Sequence, residues 1–115
     1  MTQYGGANGI GTIFKIMTNG SGYAKLHDFN GSDGNAPIGG FTSDASYLYG
    51  ITESGGTNNH GVIFKIMTDG TGFTKLHDFN STTTGRFPRA NPVLNSGKLY
   101  GLTQIGGANN LGVLY

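Results

Sequence analysis

The chain copies itself. Residues 11–30, GTIFKIMTNGSGYAKLHDFN, return fifty positions later as GVIFKIMTDGTGFTKLHDFN at 61–80, with fifteen of the twenty positions identical. The five changes (Thr12/Val62, Asn19/Asp69, Ser21/Thr71, Tyr23/Phe73, Ala24/Thr74) keep size or character. LYGIT at 48–52 returns as LYGLT at 99–103. A third element appears three times, as TQYGGANGIG at 2–11, TESGGTNNHG at 52–61 and TQIGGANNLG at 103–112. A fixed period near fifty residues describes a modular array, whose units bury their apolar faces against neighbours and not alone.

Each repeat reads as four short strands. IFKIM at 13–17 and YAKLHDF at 23–29 flank TNGSG, and their second copies flank TDGTG. Asn-Gly and Asp-Gly between apolar runs signal hairpins, because Gly, Asn and Asp tolerate the positive φ that such turns need. In the first strand Phe14 and Ile16 face one way while Ile13, Lys15 and Met17 face the other. Period two fits a strand, and apolar residues on both faces predict a sheet covered on both sides. IGGFTS at 38–43, aligned with RANPVLN at 89–95, is the next predicted strand, followed by YLYGIT at 47–52 and KLYGLT at 98–103. The links NGSDGNAP (30–37) and NSTTTGRFP (80–88) differ by one residue, which turns the offset from 50 into 51. No segment carries a capped 3.6-residue apolar pattern, so no helix is predicted.

Four strands in about fifty residues, serially repeated, predict an all-β fold of β-propeller-type blades with four antiparallel strands each. On this reading residues 1–30 hold the C-terminal strands of one blade, 37–80 one complete blade, and 88–115 the N-terminal strands of the next. The motifs LYG(I/L)T, GG(A/T)N with a Gly a few positions on, G(T/V)IFKI and LHDFN recur in register across essentially the whole chain. In these the chain resembles the GloVer-type tandem repeats of bacterial surface and secreted proteins. The resemblance implies a propeller-like, exported array, often anchored to the cell envelope, with no catalytic residues to carry over. The chain departs from that pattern in having barely more than two repeats, with no anchor or export segment in view.

Composition narrows the partners. Charged residues make up 11% and the formal net charge is +1, which leaves no electrostatic footprint for nucleic acid or an anionic membrane. Twenty-two Gly with only three Pro read as turns between short strands, while seven Phe and six Tyr argue against disorder. Cysteine is absent, which excludes disulfides and thiolate metal sites without deciding the compartment. No basic n-region precedes an apolar stretch and no apolar run approaches twenty residues, so neither a signal peptide nor a membrane span is predicted. Met1 lies inside a repeat, and an export signal would stand upstream of such a piece.

Two blades do not close a ring, since propellers use about four to eight. The expectation is a closed cyclic homo-oligomer, a trimer making six blades first and a tetramer making eight second, with a fragment of a longer array as the rival. Residues 2–13 and 103–114 are copies of one element, so one copy is expected to be displaced in any ring.

The remaining motifs read mostly as structure. GGANGIG at 5–11 precedes a strand and is not followed by GK(S/T), so it is a turn and not a phosphate cradle. His27–Asp28 and His77–Asp78 point to opposite faces of a strand and make no dyad; they read as a hydrogen bond repeated in each blade. His60 stands where Ile10 and Leu111 stand and reads as a strand start. DFNGSDG at 28–34 lacks the glycine and bidentate Glu of a calcium loop and reads as an Asx turn. Asn19, Asn30 and Asn80 begin N-x-S/T triplets at turns, and Arg86 and Arg89 fall in a solvated link. Glu53 is the only Glu, its counterparts being Gln3 and Gln104, so paired-carboxylate chemistry finds no support. No catalytic residue, metal site or cofactor is expected. The candidate ligand residues are the loop amides Asn8, Asn58, Asn59, Asn109 and Asn110, whose paired donor and acceptor suit sugar hydroxyls beside a stacking aromatic ring. The leading reading is a non-enzymatic extracellular scaffold; the alternative is a multivalent, lectin-like propeller with one weak glycan site per blade.

Overall fold

The computed structural model describes residues 1–115, and it is all-β: ten strands and no helix, hence no helix long and apolar enough to cross a membrane. β1 (Thr12–Lys15) and β2 (Ala24–Asp28) form an antiparallel pair. β3 (Asn35–Ser43), β4 (Tyr47–Ser54), β5 (Val62–Met67) and β6 (Thr74–Asp78) form a four-stranded antiparallel sheet in chain order. In the last part β7 (Arg86–Pro88) pairs with β10 (Thr103–Ile105), and β8 (Val93–Asn95) pairs with β9 (Lys98–Tyr100).

The copied segments fold alike because their turns are made by the same atoms. Asn19 Oδ1 accepts the Ser21 N–H at 3.0 Å, and Asp69 Oδ1 accepts the Thr71 N–H at 2.8 Å. Behind these side chains Gly20 and Gly70 take φ of 84° and 95°, where a Cβ would be strained. Both pairs carry the same register shift, between Ile13 and Phe14 and between Ile63 and Phe64.

Two strand boundaries differ from expectation. The single strand expected for RANPVLN at 89–95 does not form: pairing occurs at Arg86–Pro88 and resumes only at Val93. Pro92 has no N–H to give a ladder, and the Phe87 N–H instead reaches back to the His60 carbonyl at 3.1 Å. The Ala36 N–H does the same to the Ile10 carbonyl at 3.0 Å, so each unit's first strand is tied to the loop before it. KLYGLT also splits: β9 ends its pairing with β8 at Tyr100, while Gly101 exchanges N–H···O bonds with Tyr115 at 3.0 and 2.9 Å and Leu102 bridges Leu114.

Two apolar cores lie between units, not within them. In the first, Ile13 and Phe29 meet Val62, Phe64 and Ile66 of the four-stranded sheet. In the second, Ile51, Ile63 and Phe79 of that sheet meet Leu99 and Tyr115 of the last unit. Ile63 and Phe79 are the copies of Ile13 and Phe29, and Tyr115 is the copy of Phe64. The same joint is therefore made twice, one unit's front face against the next unit's back. Its aromatic centre repeats too: Phe29–Phe64 meet edge to face at 5.4 Å and 67°, Phe79–Tyr115 at 5.0 Å and 62°.

The outer faces of the chain are the two unmatched halves of that joint. On the last unit's front, Leu102 is 58% and Leu114 71% exposed, where their copies Ile51 and Ile63 are 0% and 7%. On the first unit's back, Ile16 is 51% and Tyr23 62% exposed, whereas Ile66, the copy of Ile16, is fully buried.

Candidate functional site

The thrice-used Gly-Asn loop closes on itself in the same way each time. Gly11, Gly61 and Gly112 donate their N–H groups to the carbonyls of Gly5, Gly55 and Gly106 at 2.9, 3.1 and 3.0 Å. Inside each, Gly9, Asn59 and Asn110 take φ of 74°, 57° and 57°. A residue there must tolerate the left-handed region, and Asn does so at the lowest cost after Gly. Asn59 and Asn110 are thus explained by backbone conformation. Asn59 also accepts the Gly55 N–H at 3.1 Å.

Asn8 and Asn58 hold strands. The Asn8 amide donates to the Phe29 carbonyl at 2.8 Å, and the Asn58 amide donates to the Phe79 carbonyl at 3.1 Å. In return the Phe29 and Phe79 N–H groups donate to the Gly11 and Gly61 carbonyls at 3.1 and 3.0 Å. The aspartate one residue earlier completes the clamp. Asp28 Oδ1 accepts the Ala7 N–H at 3.1 Å, and Asp78 Oδ1 accepts the Thr57 N–H at 2.7 Å. The second glycine of each loop makes room, for a Cβ on Gly6 or Gly56 would collide with that carboxylate. Of the repeated hydrogen bond expected at His27–Asp28 and His77–Asp78, the aspartate half is present in both copies and ties its strand to the loop, whereas of the histidines only His27 bonds a carboxylate, that of Asp33.

Lysine three residues before each aspartate completes the cluster, with Lys25–Asp28 and Lys75–Asp78 ion pairs. Lys75 goes further and donates to the Ser32 carbonyl at 3.1 Å, joining two units. The Lys25 ammonium, then the Ala7 N–H, hold the Asp28 carboxyl below the usual carboxylate range. Burial pushes Asp78 upward, but the Lys75 ammonium and the Thr57 N–H outweigh it and the net direction is down. The sequence reading passed over these lysines, although their K-L-H-D spacing occurs in both copies.

The third loop has the fold of the other two and lacks the strand that clamps them. No protein group accepts the Ala108 N–H or the Asn109 amide, and none donates to the Gly112 carbonyl. Beside it lies an open cleft of about 410 Å³ lined by Ser81, Thr82, Arg86, Gly107, Ala108 and Asn110.

Other singled-out residues serve the joints. His27 bonds Asp33 at 3.0 Å and stacks on Phe73 of the next unit at 3.9 Å and 6°. Its copy His77 packs against Phe79. His60 presents its ring edge to Phe87, with a buried Nδ1 that has no partner. Asn30 Oδ1 accepts the Ser32 and Asp33 N–H groups, the Asx turn expected there. Arg89 is exposed, as expected of a solvated link, and also meets Glu53 at 2.8 Å and donates to Gln104 at 3.1 Å, while Gln3 donates to Glu53 at 3.3 Å. The three copies of one position, Gln3, Glu53 and Gln104, thus form a polar ladder across the units. Arg86 lies over the Phe87 ring with its centre 5.4 Å away.

No curated protein and no solved structure matches the chain. Residues 1–115 match the Gloeobacter/Verrucomicrobia repeat, and the chain belongs to that family.

Proposed function

We propose that this chain is a non-enzymatic structural and interaction module of propeller-type blades, stacked front to back with further copies into a closed ring outside the cell. The observation that carries the reading is the joint itself. It is built twice with copied residues, and its two unmatched halves face outward at opposite ends of the chain. Surfaces that complement each other but lie on different patches make a heterologous contact, which propagates until rotation closes it into a ring. Membership of a repeat family supports a unit that works in multiples. The loop amides favour the scaffold over glycan binding, because Asn8 and Asn58 spend their donors on strand carbonyls.

Light scattering after size exclusion, over a range of concentrations, tests this. The expected result is a discrete species at three times the 12.0 kDa chain mass, with four times as the second ring size. A monomer at all concentrations, or a polydisperse ladder without a closed species, overturns the ring.

A further inference from the structure

We propose that the third Gly-Asn loop, residues 106–112, is a preformed receptor for an extended K-L-H-D-F-N strand donated by a second copy of the chain. The proposal rests on the ring reading and changes its seam: the neighbour's β2 would lie beside Leu102 and Leu114 in one sheet, not behind them. Its ground is that the same chain shows the receptor twice with its ligand in place. At the first loop β2 is seated by three contacts: Ala7 N–H to Asp28, Asn8 amide to the Phe29 carbonyl, and Phe29 N–H to the Gly11 carbonyl. At the second loop β6 is seated by the same three, through Thr57, Asn58 and Gly61. At the third loop Ala108, Asn109 and Gly112 occupy those positions and have no partner.

The receptor is folded before anything binds. Its internal hydrogen bonds, Asn110 N–H to Gly107 at 3.1 Å and Gly112 N–H to Gly106 at 3.0 Å, match those of the occupied loops. It is anchored from behind by the Gly107 N–H on the Ser81 carbonyl at 3.1 Å, as Gly56 is anchored on Gly31 at 2.8 Å. Little ordering is therefore left for binding to offset.

The surroundings fit the side chains of such a strand. Phe79 packs on Ile51 and Ile63, and a phenylalanine at the third loop would fall on their exposed copies Leu102 and Leu114. An apolar cleft of about 290 Å³, which Val93, Tyr100, Leu102 and Leu114 help line, lies at that face. Lys75 reaches the Ser32 carbonyl, and the copy of Ser32 is Thr82, in the wall of the polar cleft. Arg86 in the same wall gives an incoming carboxylate a cation in addition to the Ala108 N–H. Affinity comes from main-chain pairing and specificity from alternate side chains, as in other strand-addition complexes.

The donor commits itself too. Asp28 Oδ1 is held by Ala7 and Oδ2 by Lys25, so a β2 strand serving the third loop of a neighbour must leave its own first loop. The contact is an exchange: the three clamp bonds break together with the β1–β2 pairing of Thr12, Ile13 and Phe14, and their equivalents form with residues 108–115 of the neighbour, leaving residues 5–14 of the donor displaced.

The test uses a capped FTKLHDFN peptide, the sequence of residues 73–80, added to the Ile16→Glu variant of the full chain. That variant carries a charge on the open back face, so chains stay apart and the third loop is free. The expected result is saturable binding, with amide NMR shifts at Ala108, Asn109 and Gly112 and none at Ala7 or Thr57. Replacing the peptide's aspartate by asparagine should weaken binding roughly tenfold or more, the worth of a charged hydrogen bond. Asn109→Ala in the chain should weaken it about threefold to tenfold. No binding to the folded variant, or equal binding by the asparagine and scrambled peptides, overturns the receptor. Peptide binding by a wild-type chain that never exceeds monomer mass leaves the receptor standing and removes the ring; a wild-type ring whose Ile16→Glu monomer ignores the peptide does the reverse.

Discussion

Asparagine plays two separable parts within one loop, and the chain contains an internal control for each. Asn58 satisfies the Phe79 carbonyl, so Asn58→Ala strips a partner from a half-buried acceptor and should cost about 1–2 kcal/mol in urea or thermal unfolding. Asn109 is its copy but has no partner in the chain, so in the Ile16→Glu monomer Asn109→Ala should leave stability within about 0.5 kcal/mol. Equal losses at both positions would contradict the clamp. From sequence, amides and glycines in one loop suggested sugar hydroxyls, because composition cannot tell a donor facing solvent from one spent on a carbonyl twenty-one residues away. The alignment of Gly9 with Asn59 and Asn110 held the missing signal: Gly and Asn exchanging at one position mark the left-handed region.

Among strands, charge placement decides where pH acts. Asp28 and Asp78 both have depressed pKa values. A depressed carboxyl contributes stability that is present above its unfolded pKa, about 3.9, and is lost as pH falls through the lower folded value. Thermal stability should therefore be flat from about pH 7 to 5 and drop below about pH 4. Asp78→Asn should lower the plateau and flatten the acid limb; an acid limb unchanged by it would place the loss elsewhere. Hairpins were the legible elements, since TNGSG and TDGTG write their turns in local chemistry. β7 was not legible. Pro88 demotes a strand reading, and the bond that fixes Arg86–Pro88 comes from His60, a residue of the previous repeat. The shared Pro at 37 and 88 was the trace of that strand start.

For the molecule as a whole, period alone announced that faces would be buried between units, and the two inter-unit cores show it. Which face meets which was hidden, because both faces of each strand are apolar and only packing separates front from back. Leu102→Arg tests that assignment. Leu102 is exposed in the chain, so the variant should keep its unfolding midpoint within a few degrees while the assembly mass falls to that of a single chain. An assembly that survives Leu102→Arg would mean the front face of the last unit is not the seam.

One further property follows from the polar ladder. The joint between the first and middle units is bridged by a neutral amide, Gln3, on Glu53, whereas the joint to the last unit carries the ion pair of Glu53 with Arg89. Arg89 stands where the previous repeat has Ile38. Units that share their loop and their joint are therefore addressed: a chain that docked them out of order would strand a carboxylate opposite an isoleucine and leave an arginine without its acid. The array counts its own members.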